Sequence, residues 1–225
     1  MPLLDFVRKY TLNYGALFAY SPYGTTADER LSRSYRTAVK GDESILIEGN
    51  EVPMSKVVAM TVLEMRKSLP FGRIFDDNPV LVPATSTSLM KPDSLWVPLR
   101  IANALQEFGL GSQVSTCLRR THPLPKAATS SSGNRPSAAE QYASQEVQKL
   151  IDEPKSIVIV DDVVTTGATL VGSAKLLAEV FPQTKISAFA SLRTVTRPIN
   201  FRGIEHPVFD EITLYPSGKT HRNPD

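Results

Sequence analysis

The sequence predicts an α/β fold, a parallel sheet flanked by helices, and three observations carry that prediction. Short apolar runs alternate with segments whose apolar residues recur at helical spacing, the pattern of strand, crossover helix and next strand. Ile157 to Val160 is an unbroken β-branched run, as expected of a parallel strand covered on both faces. With 225 residues, 41% hydrophobic and 21% charged, the chain has material for one such core and an appendage rather than two full domains.

The elements follow in order. Leu3 to Tyr20 is predicted as an amphipathic helix, because Leu3, Leu4, Phe6, Val7 and Tyr10 can share one stripe. Ser21 to Asp42, broken by Pro22, Gly24 and Gly41, reads as a loop entering a short helix near Ser32 to Lys40. Ser44 to Glu48 is the first predicted strand, and Ser55 to Lys67 a helix with Val57, Val58, Val62 and Leu63. Pro79 to Pro83 is a second strand. A helix from Trp96 to Phe108 is ended by Gly109 and Gly111, and Val114 to Leu118 is a third strand. Lys126 to Ser137 is almost wholly Ala, Thr, Ser, Gly, Asn, Arg and Pro, too polar to pack, and is expected to be a mobile loop. Helices are predicted over Ala138 to Ile151 and Gly167 to Phe181, and further strands at Ile186 to Leu192 and Val208 to Leu214. The resulting division is an N-terminal helical segment (1–43), a core (44–195) and a C-terminal strand and tail (196–225), with no internal repeat.

Composition excludes several classes of function. The formal charge is +2, from 25 basic and 23 acidic side chains, which argues against nucleic acid as a direct ligand. Cys117 stands alone, so no intramolecular disulfide can form, and with His122, His206 and His221 it offers no metal-ligand spacing. Asp5, Arg8 and Lys9 interrupt the N-terminal apolar residues, and no stretch has the length of a membrane span. The expectation is a cytoplasmic protein with no membrane partner. Gly218-Lys219-Thr220 lacks the first glycine and following helix of a nucleotide-binding P-loop, and no Gly-x-Ser-x-Gly elbow occurs.

The chemistry is concentrated in Val158 to Leu170, VIVDDVVTTGATL. A buried strand ends in adjacent carboxylates, Asp161 and Asp162, and the turn Val163-Val164-Thr165-Thr166-Gly167-Ala168-Thr169 opens into a helix. Ligands of parallel sheets bind at the carboxyl ends of the strands. Unpaired N–H groups at a helix start, aided by the helix dipole, suit a phosphate, and Gly167 permits its close approach. The two acids would repel that phosphate but can accept hydrogen bonds from vicinal hydroxyls. Phosphate seat and diol acceptor together describe a ribose 5-phosphate.

This run resembles the phosphoribosyl-pyrophosphate motif of type I phosphoribosyltransferases. The chain is most similar to the competence-associated ComF-type members, through Ala38-Val39-Lys40-Gly41-Asp42, Val82-Pro83, and Arg119-Arg120-Thr121 with the Ser-rich run and Arg135. The similarity spans residues 32–195 and is tight only at Asp161 to Thr169. The resemblance implies a type I phosphoribosyltransferase fold with a small terminal hood, and phosphoribosyl pyrophosphate as donor. It also implies Mg²⁺ carried mainly by that substrate, and a reaction in which an unidentified nucleophile displaces pyrophosphate. Ala84, Thr85, Ser86 and Thr87 would then hold pyrophosphate through their N–H groups. Lys40, Arg119, Arg120, Lys126 and Arg135 would be its charge partners, the last four on a loop closing over the site. Asp161 and Asp162 would bind the ribose hydroxyls, with Asp162 also placed for general-base work. Two departures stand out: the family's N-terminal zinc cysteines are missing, and the loop after Pro83 has hydroxyls where many relatives carry a basic residue. A non-catalytic sensor of the same ligand is the alternative, and a homodimer is left open. The acceptor would be walled by residues 1–40 or the tail from Thr194, with Tyr20, Tyr23, Phe201 and Phe209 as stacking candidates.

Overall fold

The computed structural model describes residues 9–86, 94–125, 135–148 and 152–223. In chain order the elements are β1 (Tyr10–Tyr20), α1 (Ala27–Gly41), β2 (Ser44–Ile47), β3 (Asn50–Pro53), α2 (Met54–Met65), β4 (Val80–Pro83), α3 (Val97–Glu107), β5 (Gln113–Val114), β6 (Leu118–Arg120), α4 (Ala138–Ala143), β7 (Gln145–Val147), β8 (Ser156–Val164), α5 (Ala168–Val180), β9 (Lys185–Thr194), β10 (Val208–Leu214) and β11 (Thr220–Arg222). Seven strands form the central sheet in the order β11-β10-β1-β9-β8-β4-β5. All neighbours from β1 to β5 are parallel, and β10 and β11 add an antiparallel edge. The fold is α/β, with a mostly parallel sheet covered on both faces.

The strand pleat explains the two cores. Ile157 and Ile159 of β8 point to one face, with Leu170, Ala174 and Leu177 of α5, while Val158 and Val160 point to the other, with Val58 and Val62 of α2 and Ile101 and Leu105 of α3. Each of these side chains is fully buried, and each Ile, Leu and Val contributes on the order of 1.5–3 kcal/mol against exposure. Thr26 caps α1 in a reciprocal box with Glu29, and Ser137 does the same for α4 with Glu140.

Four expectations are corrected. Residues 10–20 are a strand, not the end of a helix, and β1 lies between β9 and β10. Its Tyr, Thr and Phe residues suit a pleated, buried surface, and Gly15 permits the close approach of Phe71, whose Cγ would stand 2.4 Å from any added Cβ. The first predicted strand lies outside the central sheet. It forms a hairpin with β3 across Glu48 and Gly49, both at positive φ, as a two-residue primed turn requires. Val114 to Leu118 is split between β5 and the separate ladder of β6. The helix predicted to Ile151 stops at Ala143, and Gln145–Val147 pairs antiparallel with β6 instead. The earlier residues of the Leu3 to Tyr20 segment, and Lys126 of the proposed loop, lie outside the described residues.

Candidate functional site

The site is built at the point where β4 and β8 diverge. β4 ends at Pro83, paired with Val160, whereas β8 continues through Val164 with β9 alone beside it. A crevice therefore opens at the carboxyl end of the sheet, where parallel α/β folds bind ligands. Asp161 and Asp162 are half-buried at its floor. The Asp162 N–H donates to Asp161 Oδ1 at 2.9 Å, the Val163 N–H donates to Asp162 Oδ1 at 2.7 Å, and Lys40 Nζ lies 2.9 Å from Asp162 Oδ2. Burial, then the charge of Asp162 and its hydrogen bond, hold the Asp161 carboxyl well above the usual carboxylate range, with Lys40 opposing the shift.

The turn after β8 has the open amides that its composition predicts. Gly167 is the N-cap of α5 at φ 79°, with no side chain capping the helix. Among the described residues the N–H groups of Thr165, Thr166, Gly167 and Thr169 have no protein acceptor, and the Ala168 N–H reaches only Thr166 Oγ1, at 3.4 Å. They line a recess of about 50 Å³ shared with Val163, Val164, Asp161, Arg135 and Gln141. That is several times the roughly 10–15 Å³ one water needs, and a small oxyanion would meet N–H donors there.

A larger cavity, of about 410 Å³, adjoins this recess and holds Asp161, Asp162, Val163, Thr165, Thr169, Thr85, Ser86, Lys40 and Arg135 on one surface. The structure thus brings together most of the residues singled out by sequence. Thr87 lies outside the described residues. Ala84 differs from expectation. Its N–H is taken by Val160 O at 2.8 Å, extending the parallel ladder, so it is not free for an anion, and its carbonyl accepts from Trp96 Nε1 at 2.8 Å.

Arg119 and Arg120 also differ, because they belong to a strand rather than a loop. Arg119 is exposed on a second cavity of about 500 Å³ with Thr116 and Leu118, which shares Thr85, Ser86 and Trp96 with the first but not the acid pair. Arg120 turns inward: its guanidinium donates to Ser86 O at 2.6 Å, to Thr85 Oγ1 and Gln141 Oε1 at 2.8 Å each, and to Ser144 Oγ. Burial lowers its pKa to about 10. Arg120 therefore braces the loop after β4 instead of serving as a free cation.

Four site residues escaped the sequence reading. Arg222, nearly fully buried in β11, donates through Nε to Thr165 O at 2.7 Å, through Nη1 to Tyr14 Oη at 3.1 Å, and through Nη2 to Thr194 O, tying the turn after β8 to β11. No local motif announces it. Arg36 could have been found, since it precedes Lys40 by one helical turn and shares its face. Trp96 lines the cavity with its indole fixed on Ala84. Asp42 was assigned only to a similarity motif; buried at φ 48°, it accepts from the Ser55 N–H at 2.8 Å and from Arg100 at 3.0 Å, so it anchors α2. Of the four aromatic stacking candidates, Tyr20 alone lines the cleft, while Tyr23 and Phe209 are exposed elsewhere.

Among the described residues no group of three or more His, Cys, Asp or Glu side chains could hold a metal, and no helix is long and apolar enough to cross a membrane. No protein-family model matches the chain, and no curated protein is significantly similar to it.

Proposed function

We propose that the sheet is a type I phosphoribosyltransferase fold and that the chain transfers the phosphoribosyl group of 5-phosphoribosyl-1-pyrophosphate to a nucleophile. One observation carries the reading: a half-buried acid pair at the end of a central strand runs directly into a turn of unpartnered amides, and both open on the same cavity. The amides of Thr165 to Thr169 would take the 5-phosphate, with Arg135 adding charge at the rim. The acid pair would hold the ribose hydroxyls: Asp162, fixed by Lys40, accepts, and Asp161 donates or accepts according to its proton. A carboxyl with raised proton affinity beside the reacting sugar is also placed to receive the nucleophile's proton.

The residues fit Mg²⁺ only as part of the donor complex, through an oxygen of the acid pair, since such an ion needs only one or two carboxylates beside substrate oxygens and water. When bound, the ion neutralises charge developing on the leaving pyrophosphate. The rest of that charge falls to the loop after Pro83, which Arg120 holds in place. A sensor that binds the donor without turnover is the competing reading. The observation on its side is that Ala84 N–H and Thr85 Oγ1 are already engaged within the protein.

Calorimetric titration of phosphoribosyl pyrophosphate with Mg²⁺, and of ribose 5-phosphate alone, tests the seat. Pyrophosphate release with bases and amines present tests the transfer. Binding lost in Asp162→Asn together with release in the wild type supports the enzyme, and binding without release supports the sensor. Failure of the wild type to bind either sugar phosphate refutes both.

A further inference from the structure

Resting on the phosphoribosyl reading, we infer that the acceptor carries a carboxylate on a planar, apolar body, and that Arg36 receives that carboxylate. The cavity crosses the strand ends in a fixed order. Thr85 and Ser86 follow β4 on one flank, the acid pair ends β8 in the middle, and Tyr20 ends β1 beyond β9, with Arg36 beside it. The donor's anions are provided for elsewhere: the 5-phosphate in the turn after β8, the pyrophosphate by the loop after β4. Arg36 stands on the opposite flank from that loop, where the nucleophile must enter if it attacks away from the leaving group.

Arg36 is itself an unfinished interaction. Its guanidinium carbon sits 5.3 Å from the centroid of the Tyr20 ring. Its buried Nε has no hydrogen-bond partner, and among the described residues no carboxylate lies within ion-pair distance of it. Its neighbours on α1 are satisfied. Arg33 donates to the carbonyls of Ser21, Tyr23 and Gly24, and Lys40 pairs with Asp162. A half-buried, unpaired cation is costly, and an arriving anion relieves that cost. Stacked on Tyr20, the guanidinium keeps its N–H edge for a two-pronged partner, the geometry a carboxylate fills. Leu95, Trp96 and Val163 line the same cavity and offer apolar surface, and the Trp96 indole is held by its bond to Ala84, so a flat ring meets a preset face.

The test uses the full chain saturated with ribose 5-phosphate, which cannot react, and two pairs of probes matched in shape but not in charge: benzoate with benzamide, and nicotinate with nicotinamide. Dissociation constants come from ligand-observed NMR. The wild type should bind each acid about ten- to one-hundred-fold more tightly than its amide, the worth of a charged hydrogen-bonded pair. Arg36→Gln should bring that ratio close to one, and leave ribose 5-phosphate and phosphoribosyl pyrophosphate affinities within about two-fold of wild type. Equal binding of acid and amide by the wild type overturns the inference, as does a preference surviving in Arg36→Gln. A loss of about ten-fold or more in phosphoribosyl pyrophosphate affinity in Arg36→Gln overturns it too, by assigning Arg36 to the leaving group. The wild-type acid-to-amide ratio decides the matter without the variant if Arg36→Gln does not fold. Titration of the sugar phosphates alone judges the phosphoribosyl reading, so the two failures are separable.

Discussion

Gly167→Ala should lower stability by about 2–5 kcal/mol, from two costs that can be measured apart. Position 167 has φ 79°, and forcing a residue with a Cβ into this region costs about 1–2 kcal/mol. The new Cβ would also stand 2.6 Å from Ile212 Cδ1 and 2.7 Å from its Cγ2. Ile212 is fully buried in β10 and has no room to retreat, so overpacking adds about 1–3 kcal/mol. Ile212→Ala alone should cost about 2–5 kcal/mol through the cavity it leaves. The double variant removes all the crowding atoms, so its loss should fall short of the summed single losses by about 1–3 kcal/mol, the overpacking part, while the backbone part persists. Urea unfolding followed by far-UV circular dichroism measures all four proteins on one scale. Losses that add to within about 0.5 kcal/mol would show that Gly167 and Ile212 do not meet, and would refute the account of why glycine stands at this corner.

Two further outcomes follow from the site. Asp161 has a folded pKa above its ordinary 3.8, so its contribution to stability is complete below about pH 4 and is lost as pH rises through the raised folded value. Asp161→Asn should therefore be more stable than wild type at pH 8 and show a flatter pH–stability profile by thermal denaturation, while losing ribose 5-phosphate binding; superimposable profiles would contradict this. Arg222→Met orphans the carbonyls of Thr165 and Thr194 and should cost about 2–5 kcal/mol. It should also reduce the rise in melting temperature that the proposed function predicts for ribose 5-phosphate, because the turn from Thr165 to Thr169 loses its anchor. An equal ligand-induced rise in both proteins would restrict Arg222 to a purely structural part.

Where sequence and structure agree, the reason is local. Ile157 to Val160 can only be a strand buried on both faces, and a strand–acid pair–glycine–helix succession dictates the geometry of the turn from Asp161 to Thr169. The errors come from partners far away in the chain. Tyr10–Tyr20 satisfies helical and strand spacing alike, and its pairing with β9 and β10 decides the matter. Gln145–Val147 leaves its helical pattern because β6 offers an edge. Arg120 reads as a loop cation, since nothing nearby indicates that Thr85, Ser86, Gln141 and Ser144 converge on it. Arg222 is invisible for the same reason, with Thr165 reached only through the fold.

The place of β1 in the sheet also constrains how the chain comes to be folded. Tyr10 pairs with Leu214 and Tyr14 with Ala188, so the first described strand finds both its neighbours only after about 200 further residues have left the ribosome. Until then the N–H and C=O groups along its edges lack their strand partners, and contacts this distant in sequence are slow to form. The turn from Thr165 to Thr169 depends on the same event, since Ile212 and Arg222, which brace it, arrive with β10 and β11. Nascent chains halted before residue 208 should therefore carry the acid pair and its turn without the support that shapes them, and the cleft should take its final form only once β10 and β11 have been added.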